Sequence, residues 1–439
     1  MARRVLILSY YFPPSGGPGV QRVLKFAKYL PSFEWTPIVL TVEEGAYPAR
    51  DASLWQDVPA SVEVHRTKSW DPYQLYARLT GQSGDDAVVQ GSVEGEKNDW
   101  KRMVARWTRA NVFLPDARVG WVPFAVWRGR QLLARGDADA ILTTGPPHST
   151  HLAGAALQAL TEVPWVADFR DPWTDINYYQ ELPHTRWARW LDAALERMVL
   201  RRAQAVTTVS PTWRDLLARK AASHHCDERR FAVVQNGFDE TDIPSTPAFP
   251  LKEAFELTHV GSLYASRNPE PLWRALQRLR ASDAIPNLRL RLVGTVDPNV
   301  RQSIDHHGLA DITEYVPYVP HAKAVTYMKQ AGLLLLSIED FPQAAGMMTG
   351  KIYEYLASGR PVVGIGPPDG DAAYLLRKTK GGRLFGRDEE TNLAQFIRSH
   401  YSAWEQGLSY AGGAPEDLEL YRRWTQTERM AELLNGICS

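Results

Sequence analysis

Short runs of apolar, β-branched residues alternate with longer amphipathic stretches along almost the whole of this 439-residue sequence. This alternation is typical of buried parallel strands joined by helices that cover the sheet. One hydrophobic core rarely serves so long a chain, so two α/β domains are expected. The predicted strands cover residues 5–9, 37–41, 62–65, 140–144, 165–168, 205–209 and 231–234 in the first half, and residues 255–260, 288–293, 312–316, 332–337, 361–365 and 383–385 in the second.

A proline-rich segment, Ile243–Pro250, separates the two halves. Its three prolines and its lack of hydrophobic periodicity favour a hinge between domains. We therefore expect one domain at residues 1–245 and a second at residues 246–412. Residues 81–98 are rich in Gly, Ser, Asp and Glu, which predicts a mobile insertion within the first domain.

Composition excludes several classes of protein. Fifty basic and fifty acidic residues cancel, which argues against a nucleic-acid binder recognised by its overall charge. Cys226 and Cys438 are too few for a disulfide framework and lack metal-site spacing, so a reducing cytoplasm is expected. After Arg3 and Arg4 the apolar run is too short for a secretion signal, and no stretch approaches the roughly 18 apolar residues of a membrane span. We expect a cytoplasmic protein, either soluble or peripheral on the inner face of the cell membrane.

The segment Thr349–Gly366 reads TGKIYEYLASGRPVVGIG and predicts a short helix followed by a buried strand. Thr349 is placed to cap the first turn of the helix. Gly359 fits a left-handed stop, and Pro361 prevents the helix from continuing. Periodicity alone indicates no more than an ordinary helix and strand.

The wording of this segment resembles the nucleotide-sugar helix of GT-B glycosyltransferases of the family 4 type. The resemblance implies an α/β fold of two doubly wound Rossmann-like domains that face each other across a cleft. It also implies that the first domain binds the acceptor, that the second binds the donor nucleotide, and that a helix within residues 413–439 crosses back to the first. The residues that carry it are Lys351, Glu354, Ala357, Gly359, Pro361 and Val362.

Donor-nucleotide residues follow from the same resemblance. The matched glutamate, Glu354, is expected to hold the ribose hydroxyls of the donor. The loop that starts at Gly261 resembles the family's diphosphate loop, but Ser262 stands where an arginine is usual, and Arg267 takes the position of the lysine. Arg267 keeps the charge and gains bidentate geometry toward phosphate. Lys351 is expected to supply a second cation, and a turn that contains Val316 and Tyr318 is expected to flank the base.

The sugar end of the donor site departs from the family pattern. Relatives often carry a first glutamate eight residues before the second, and here that position is Gly346. Backbone N–H groups of the loop formed by Gly346, Met347, Met348 and Thr349 are expected to contact the sugar or its phosphate. Alternatively, Glu339 or Asp340 substitutes for the missing carboxylate. The donor sugar is left unassigned by these residues.

The loop after the first strand, Tyr10–Arg22, has three interpretations. Gly16 and Gly17 give it freedom for close backbone approach, and the next helix points its N-terminus at whatever binds. In the glycosyltransferase interpretation it faces the donor phosphates. In the second it is part of a dinucleotide fingerprint, although Arg22 replaces the third glycine. In the third it is a structural turn.

Three residues at the ends of other first-half strands are candidate catalytic groups. Arg170 and Asp171 follow a predicted strand, where open α/β sheets bind ligands. Arg170 could stabilise a departing phosphate together with Arg267, and Asp171, or Asp168 in its place, could orient an acceptor hydroxyl. His148 follows another strand and could contact sugar or phosphate. The alternative for each residue is a structural role in its loop.

Residues 99–130 suggest a partner. Trp100, Met103, Val104 and Trp107 share one face of a predicted helix, and basic residues predominate around them. One interpretation is an interfacial helix on an anionic membrane. The other is that these aromatic residues belong to the domain core.

The sequence therefore predicts a metal-independent, cofactor-free hexosyltransferase that moves a sugar from a nucleotide-sugar donor with retention of configuration. Its acceptor is expected to be a glycan, a glycolipid or another glycoconjugate, in cell-surface polysaccharide assembly. No carboxylate pair of the glycosidase kind stands out in the sequence. The alternatives are a catalytically silent nucleotide-sugar-binding relative, an NAD-type Rossmann oxidoreductase, and an epimerase on the same fold.

Overall fold

The computed structural model describes residues 2–45, 47, 50–70, 99–222, 228–243, 253–408 and 415–439. The expected insertion at residues 81–98 lies outside these described residues, as do Cys226 and most of the proline-rich segment. The described residues form the strands β1 (Arg3–Leu8), β2 (Trp35–Val42), β3 (Glu63–Thr67), β4 (Ala140–Gly145), β5 (Trp165–Phe169), β6 (Ala205–Thr208), β7 (Phe231–Val233), β8 (Phe255–Val260), β9 (Leu288–Val293), β10 (Thr313–Val316), β11 (Leu333–Ser337), β12 (Val362–Ile365) and β13 (Gly382–Phe385).

Helices connect these strands within the described chain. They are α1 (Pro18–Tyr29), α2 (Asp99–Asn111), α3 (Val122–Ala134), α4 (Ser149–Thr161), α5 (Asn177–Gln180), α6 (Arg186–Arg202), α7 (Pro211–Ala221), α8 (Glu270–Ala281), α9 (Pro298–His306), α10 (His321–Gln330), α11 (Gly350–Ala357), α12 (Asp371–Lys378), α13 (Glu390–Glu405), α14 (Pro415–Leu418) and α15 (Arg423–Ile437). None of the described helices is both long enough and apolar enough to cross a membrane.

Two parallel sheets organise the chain. The first has the order β3-β2-β1-β4-β5-β6-β7, and the second has the order β10-β9-β8-β11-β12-β13. In both, the strand order reverses beside the first strand, between β1 and β4 and between β8 and β11. Ligands of open α/β sheets bind at such reversal points, beyond the carboxyl ends of the strands. The predicted class of two doubly wound Rossmann-like domains is confirmed.

All the predicted strands are present, with ends that differ by at most two residues from the prediction. The reason is visible in their burial. Every residue of β8 and of β11 is buried, as is every residue of β4 in the first sheet. Strands covered on both faces read as continuous apolar runs, and that local signal is strong enough to locate them.

The chain divides into two compact units. Unit 1 comprises Met1–Gln235 and Gln426–Ser439, and unit 2 comprises Asn236–Thr425. The expected boundary at residue 245 therefore lies later in the chain than the division observed here. The physical reason is a backbone pairing within unit 2, in which the Phe238 amide donates to the Tyr421 carbonyl at 3.0 Å and the Arg423 amide donates to the Phe238 carbonyl at 2.7 Å.

The terminal helix α15 contributes to the core of unit 1. Met430, Ala431 and Leu434 are buried against residues of the first sheet that include Val5 and Ile7. The opposite face of that sheet and the sheet of unit 2 each have a hydrophobic core of their own. Each unit is thus a sheet with helices packed on both faces.

Candidate functional site

The strand-order reversal of unit 2 is the centre of the candidate site. Gly261 follows β8 with a φ of 109°, and its amide donates to the Val293 carbonyl at 2.7 Å. A Cβ at this position would lie 2.4 Å from the Nζ atom of Lys351. Glycine is required here both by the backbone conformation and by the close approach of that lysine. The side chain of Lys351 thereby lies over the carboxyl end of β8.

The helix that carries Lys351, α11, is fastened to the same strand. The hydroxyl of the buried Tyr355 receives the Val260 amide at 2.9 Å. Gly359 adopts a φ of 74° just after the helix, so the predicted left-handed stop is confirmed. Thr349 is the N-cap residue of α11 and has the extended backbone of that position. The predicted capping hydrogen bond is wrong, because the Thr349 hydroxyl has no partner within the described chain.

Two cations meet at this edge of the sheet. Burial and the charge of the nearby Arg267 together lower the pKa of Lys351 to about 7, although the charge of Glu354 acts in the opposite direction. Neither the Lys351 ammonium nor the Arg267 guanidinium donates a hydrogen bond to any described residue. The Nε atom of Arg267 lies 3.8 Å from the carboxylate of Glu339, which is an ion pair without a hydrogen bond.

The floor beneath the cations is neutral. His259 on β8 is buried, and its Nδ1 atom lies 2.9 Å from the Leu335 carbonyl oxygen. Burial lowers its pKa to about 3, and the charges of Lys351 and Arg267 act in the same direction. The positive charge of the site therefore resides on the lysine and the arginine. Both side chains are partly exposed, but the Nε atom of Arg267 is buried without a hydrogen bond, and buried polar atoms are normally hydrogen-bonded, so the site favours an anionic ligand.

Glu354 lies on the same helix and is accessible. Its side chain is 30% exposed, and its Oε1 atom lies 3.1 Å from the Nε2 atom of His321 at the start of α10. Val316 ends β10 and accepts the Gly294 amide at 2.8 Å, and Tyr318 in the following loop is 73% exposed. The structure brings Gly261, Arg267, Lys351 and Glu354 to one edge. The ends of β10 and β8 are separated by β9.

The predicted sugar loop precedes α11. Gly346 closes a short 3₁₀ turn, with its amide donating to the Gln343 carbonyl at 3.2 Å, and the Met347 amide donates to Ala344 at 3.0 Å. These two amides are therefore unavailable to a ligand, contrary to the expectation for this loop. Met348 is buried and its carbonyl accepts from Asn236 at 3.3 Å. Among the described contacts, the amides of Met348 and Thr349 remain without a partner.

Asp340 and Glu339 differ sharply in their surroundings. The Asp340 side chain is 74% exposed and pairs with Arg387 at 3.4 Å. Glu339 is only 5% exposed and faces Arg267. Of the two carboxylates considered as substitutes for the missing family glutamate, only Glu339 faces the cations.

In unit 1 the glycine loop surrounds the start of α1. Gly17 is the N-cap residue with a φ of 97°, Gly16 before it is buried, and a proline follows at the first helical position. A Cβ on Gly19 would lie 2.7 Å from the Nη1 atom of Arg170. Glycine at position 19 therefore leaves room for the guanidinium of Arg170 in the same unit.

Arg170 is committed to the protein backbone. Its guanidinium donates to the carbonyls of Gly145 at 3.1 Å, of Gly19 at 2.8 Å and of Pro146. These bonds use one N–H of each guanidinium nitrogen, and Nη1 and Nη2 each carry a second N–H, so the stabilisation of a departing phosphate by Arg170 stays a prediction. Its position ties the loop after β4 to the start of α1. Asp171 follows at a partly exposed position. Burial lowers the pKa of Arg170 against the opposing charge of Asp171, and burial raises the pKa of Tyr178, an effect to which Asp171 adds.

His148 is a packing residue in this structure. Its ring is buried and stacks on Trp173 with a centroid distance of 5.2 Å. Burial holds its pKa well below the ordinary value, with contributions from His151 and Arg170. Both ring nitrogens are buried without a hydrogen-bond partner among the described residues, and a neutral imidazole can donate one hydrogen bond and accept another, so the contact of His148 with sugar or phosphate stays a prediction.

A buried ion pair in unit 1 escaped the sequence analysis. Arg22 donates to both carboxylate oxygens of Asp168, at 2.8 and 2.7 Å, and Thr144 and Thr207 donate to the same carboxylate at 2.9 and 2.7 Å. Both charged side chains are at most 1% exposed. Arg22 stands where a dinucleotide fingerprint needs glycine, and its guanidinium is held inside the unit. This arrangement argues against the dinucleotide interpretation of the loop.

The aromatic face of α2 is exposed. Trp100, Met103, Val104 and Trp107 are between 48% and 66% exposed, so these residues are not domain core. Trp121, farther along the same stretch, is fully buried, and its indole N–H donates to Thr67 at 2.9 Å. The segment at residues 99–130 therefore divides into an exposed helix and a buried continuation.

A second exposed pair adjoins α2, and the sequence analysis missed it. The Asn111 side chain accepts the Thr185 amide at 2.7 Å and donates to the Pro183 carbonyl at 3.0 Å, which joins the end of α2 to the start of α6. Trp187 and Trp190 in the first turns of α6 are 59% and 63% exposed. The sequence signal for this exposed face was the spacing of the two tryptophans, three residues apart on one helix, next to basic residues.

Metal ligands are not grouped at either site. Among the described residues, no set of three or more His, Cys, Asp or Glu side chains is arranged to hold a metal ion. At the candidate site the charges toward a ligand come from Lys351 and Arg267. The chemistry that such an arrangement supports is the binding of a phosphate or diphosphate.

Comparisons with known proteins identify the family of both units. Residues 16–237 match the model of the glycosyl transferase 4-like domain, and residues 254–402 match the model of glycosyl transferases group 1. No curated protein matches the sequence.

Solved structures of similar fold cover nearly the whole chain. HepE of Anabaena, in complex with UDP and glucose, has a TM-score of 0.64 at 16% identity and covers 99% of this chain and 100% of its own. Sucrose-phosphate synthase of Thermosynechococcus elongatus has a TM-score of 0.62 at 15% identity, with 99% of each chain covered. WaaG, a glycosyltransferase involved in lipopolysaccharide biosynthesis, has a TM-score of 0.59 at 15% identity, with 98% of this chain and 100% of its own covered. The chain belongs to the glycosyl transferase 4-like family and is a glycosyltransferase of the GT-B type.

Proposed function

We propose that this glycosyltransferase is a hexosyltransferase that takes its sugar from a nucleotide-sugar donor and that unit 2 binds the donor. One observation carries the proposal. Lys351 and Arg267 lie together at the strand-order reversal, and neither side chain donates a hydrogen bond to a residue that the structure describes. A diphosphate supplies the anionic oxygens that these two cations lack. HepE, which shares the fold, has been solved with UDP and with UDP-glucose.

The remaining donor contacts follow from position. Glu354, three residues beyond Lys351 on α11, accepts hydrogen bonds from the ribose hydroxyls. Its carboxylate is partly exposed and already contacts His321 through one oxygen. The turn after β10, with Val316 and the exposed Tyr318, flanks the base. Gly261 permits the diphosphate to approach the backbone at the end of β8.

Transfer requires mainly stabilisation of charge. As the bond to the sugar breaks, negative charge grows on the leaving diphosphate, and Lys351 and Arg267 are placed to stabilise it. The departing phosphate oxygen accepts the proton of the acceptor hydroxyl on the same face of the sugar, so configuration is retained. The side chains supply the positive charge that a metal ion would otherwise provide, so the reaction is proposed to be metal-independent.

A donor panel tests this proposal. UDP-, GDP- and ADP-sugars are compared by their effect on the melting temperature, because a ligand that binds only the folded state stabilises it by mass action. We expect one nucleotide class to raise the melting temperature, and we expect Lys351→Met to abolish most of that shift. No shift with any of them would contradict donor binding in unit 2. Binding without hydrolysis or transfer of the sugar would instead indicate a catalytically silent relative.

We propose further that unit 1 meets an anionic membrane surface and that the acceptor is a lipid-linked or cell-surface glycan. The exposed Trp100, Met103 and Trp107 form the apolar face of an interfacial helix, and Arg106 and Arg109 supply positive charge beside it. Such a contact corresponds to a peripheral protein on the cytoplasmic face of the membrane. It places the enzyme where glycoconjugates of the cell surface are assembled.

Vesicle sedimentation tests the membrane contact. Replacing Trp100 and Trp107 by alanine should weaken binding to vesicles of phosphatidylglycerol and phosphatidylcholine by at least about tenfold, since removing roughly 50 Å² of contact per tryptophan costs about 2.5 kcal/mol in total. The matched control replaces Leu160 and Tyr374, which are 55% and 59% exposed elsewhere. Equal binding to pure phosphatidylcholine, or an equal loss in the control, would contradict the proposal.

A further inference from the structure

Glu339 is a buried carboxylate without a hydrogen bond. It follows β11 at the strand-order reversal and is 5% exposed, yet it accepts no hydrogen bond from any described residue. Its contact is an ion pair with the Nε atom of Arg267 at 3.8 Å, and that Nε atom is itself buried without a hydrogen-bond partner. Buried charges without hydrogen bonds are costly, so such a pair calls for a further partner.

The buried ion pair of Asp168 with Arg22 shows a carboxylate that the fold satisfies fully. Asp168 in unit 1 accepts four hydrogen bonds, two from Arg22 and one each from Thr144 and Thr207. Its lone pairs are satisfied within the fold. Glu339 has none of this support, although its burial is nearly as complete. Glu196 and Glu256 also have one buried oxygen without a partner in the described chain, but each keeps a close ion pair through its other oxygen, which Glu339 lacks.

The backbone around Glu339 is fixed independently of the ion pair. The Ser337 hydroxyl donates to the Arg267 carbonyl at 2.6 Å, which joins the end of β11 to the loop after β8. The Ile338 amide donates to the Ile365 carbonyl at 2.8 Å, which holds the same segment against β12. Glu339 and Arg267 are therefore kept close whether or not their side chains interact.

We propose that Glu339 is the carboxylate that binds a hydroxyl of the donor sugar and sets the donor specificity of this enzyme. The proposal rests on the proposed function. In the free protein Glu339 is the counter-ion of Arg267. When the donor diphosphate binds, Arg267 turns its guanidinium to the phosphate oxygens, and Glu339 is released to accept hydrogen bonds from the attached sugar. Donor binding thus exchanges one loose ion pair for two charge-assisted contacts.

The neighbouring acid supports this assignment to Glu339. Asp340 is 74% exposed at its side chain and is paired with Arg387, so it is directed away from the two cations. Gly346, the position at which relatives often carry a glutamate, has no side chain, and its backbone amide donates a hydrogen bond to the Gln343 carbonyl. The sugar contact is therefore supplied by the residue two positions beyond β11.

The experiment compares the affinity of a sugar nucleotide with that of its sugar-free nucleoside diphosphate. The probes are UDP-glucose and UDP, or the GDP or ADP pair if the donor panel selects it, and affinities are measured by calorimetry. Glu339→Gln should weaken sugar-nucleotide binding by about ten- to hundredfold, the effect of one hydrogen bond to a charged acceptor. The affinity for the nucleoside diphosphate should change by less than about threefold, because Arg267 remains. Glu339→Asp, which keeps the charge but withdraws it, should show the same split.

Asp340→Asn is the matched control, since it removes the same charge one residue away, and it should leave both affinities unchanged. A parallel loss of both affinities in Glu339→Gln would overturn the proposal and make Glu339 a residue that only orients Arg267. Unchanged affinities would overturn it as well. If the wild-type protein binds no nucleotide, the proposed function fails and this inference fails with it, whereas nucleotide binding without the split refutes the inference alone. Melting temperatures of the variants identify any loss of folding. If Glu339→Gln does not fold, the two affinities of Glu339→Asp decide between these outcomes.

Discussion

The donor site should release its ligand as the pH rises, and Lys351 is the reason. Burial and the charge of Arg267 lower the pKa of Lys351 to about 7 in the free protein. A bound diphosphate favours the ammonium form and raises that pKa, so donor binding takes up a proton wherever the free lysine is neutral. Affinity is then fully present below the pKa of the free lysine and falls as the pH rises through it.

The magnitude follows from the protonated fraction of the free lysine. With a pKa of about 7, that fraction is roughly 0.9 at pH 6 and roughly 0.1 at pH 8. Binding should therefore weaken about tenfold between these two pH values and by a further factor of about ten by pH 9. At pH 7 each binding event should take up about half a proton.

Calorimetry in buffers of different ionisation enthalpy measures both quantities. The sugar nucleotide is the proper ligand, because its diphosphate is doubly esterified, whereas a terminal phosphate titrates near pH 6. Lys351→Met should bind more weakly at pH 6, by about 1.5–3 kcal/mol, and should lose the pH dependence. Lys351→Arg stays charged and should also lose it. A His321→Gln background removes the imidazole that contacts Glu354.

Two results would refute this reasoning. One is a wild-type affinity that is constant from pH 6 to pH 9, since the lysine would then not change its charge on binding. The other is a Lys351→Met variant that keeps the wild-type slope, which would assign the proton to another group.

Three further outcomes are expected. Glu354→Ala should weaken nucleotide binding by about 1–3 kcal/mol, while Asp340→Asn should not, and equal titration curves for Glu354→Ala and the wild type would remove Glu354 from the site. Transfer activity should persist in excess chelator, and a loss that added magnesium restores would show that the cations of the site are insufficient. Asp168→Asn should destabilise unit 1 by about 3–5 kcal/mol in denaturant unfolding, because it leaves the Arg22 charge buried and unpaired. The pKa of Asp168 is lowered in the fold, by the charge and hydrogen bonds of Arg22 against the effect of burial. The stability it contributes is present above the unfolded pKa of about 3.9 and should decline as the pH falls through that range.

The strands could be predicted from the sequence because burial on both faces leaves a local signal. Strands β11 (LLLLS) and β12 (VVGI) are almost entirely apolar, and each lies next to a glycine or proline, whereas β8 (FELTHV) is buried but carries Glu256, Thr258 and His259. The helix stop at Gly359 was equally local, since one residue type fits its φ of 74°. Features set within a few residues of chain are the ones that a single sequence discloses.

The partners of charged side chains could not be predicted, because they are distant in the chain. Arg22 and Asp168 are separated by 146 positions, and Arg170 reaches Gly19 across 151. A sequence shows that an arginine follows a strand, but only the fold shows whether carbonyls already surround its guanidinium. For the same reason the sequence made both Arg170 and Arg267 candidates for binding the leaving phosphate, and only the fold shows that Arg170 donates to three carbonyls while Arg267 has a loose ion pair.

The two units share a strand order, so topology alone does not decide which of them binds the anionic part of a donor. The decision comes from the hydrogen bonds of the cations at each strand-order reversal. In unit 1, Arg22 is paired with the carboxylate of Asp168, and Arg170 donates one N–H from each of its nitrogens to a backbone carbonyl, so both guanidinium groups are already held by the unit. In the described part of unit 2, Lys351 donates no hydrogen bond, and Arg267 has a loose ion pair with Glu339 and a cation–π contact with Tyr264. A phosphate that enters unit 2 gains charge-assisted hydrogen bonds and loses little, and this asymmetry is the physical argument for placing the diphosphate there.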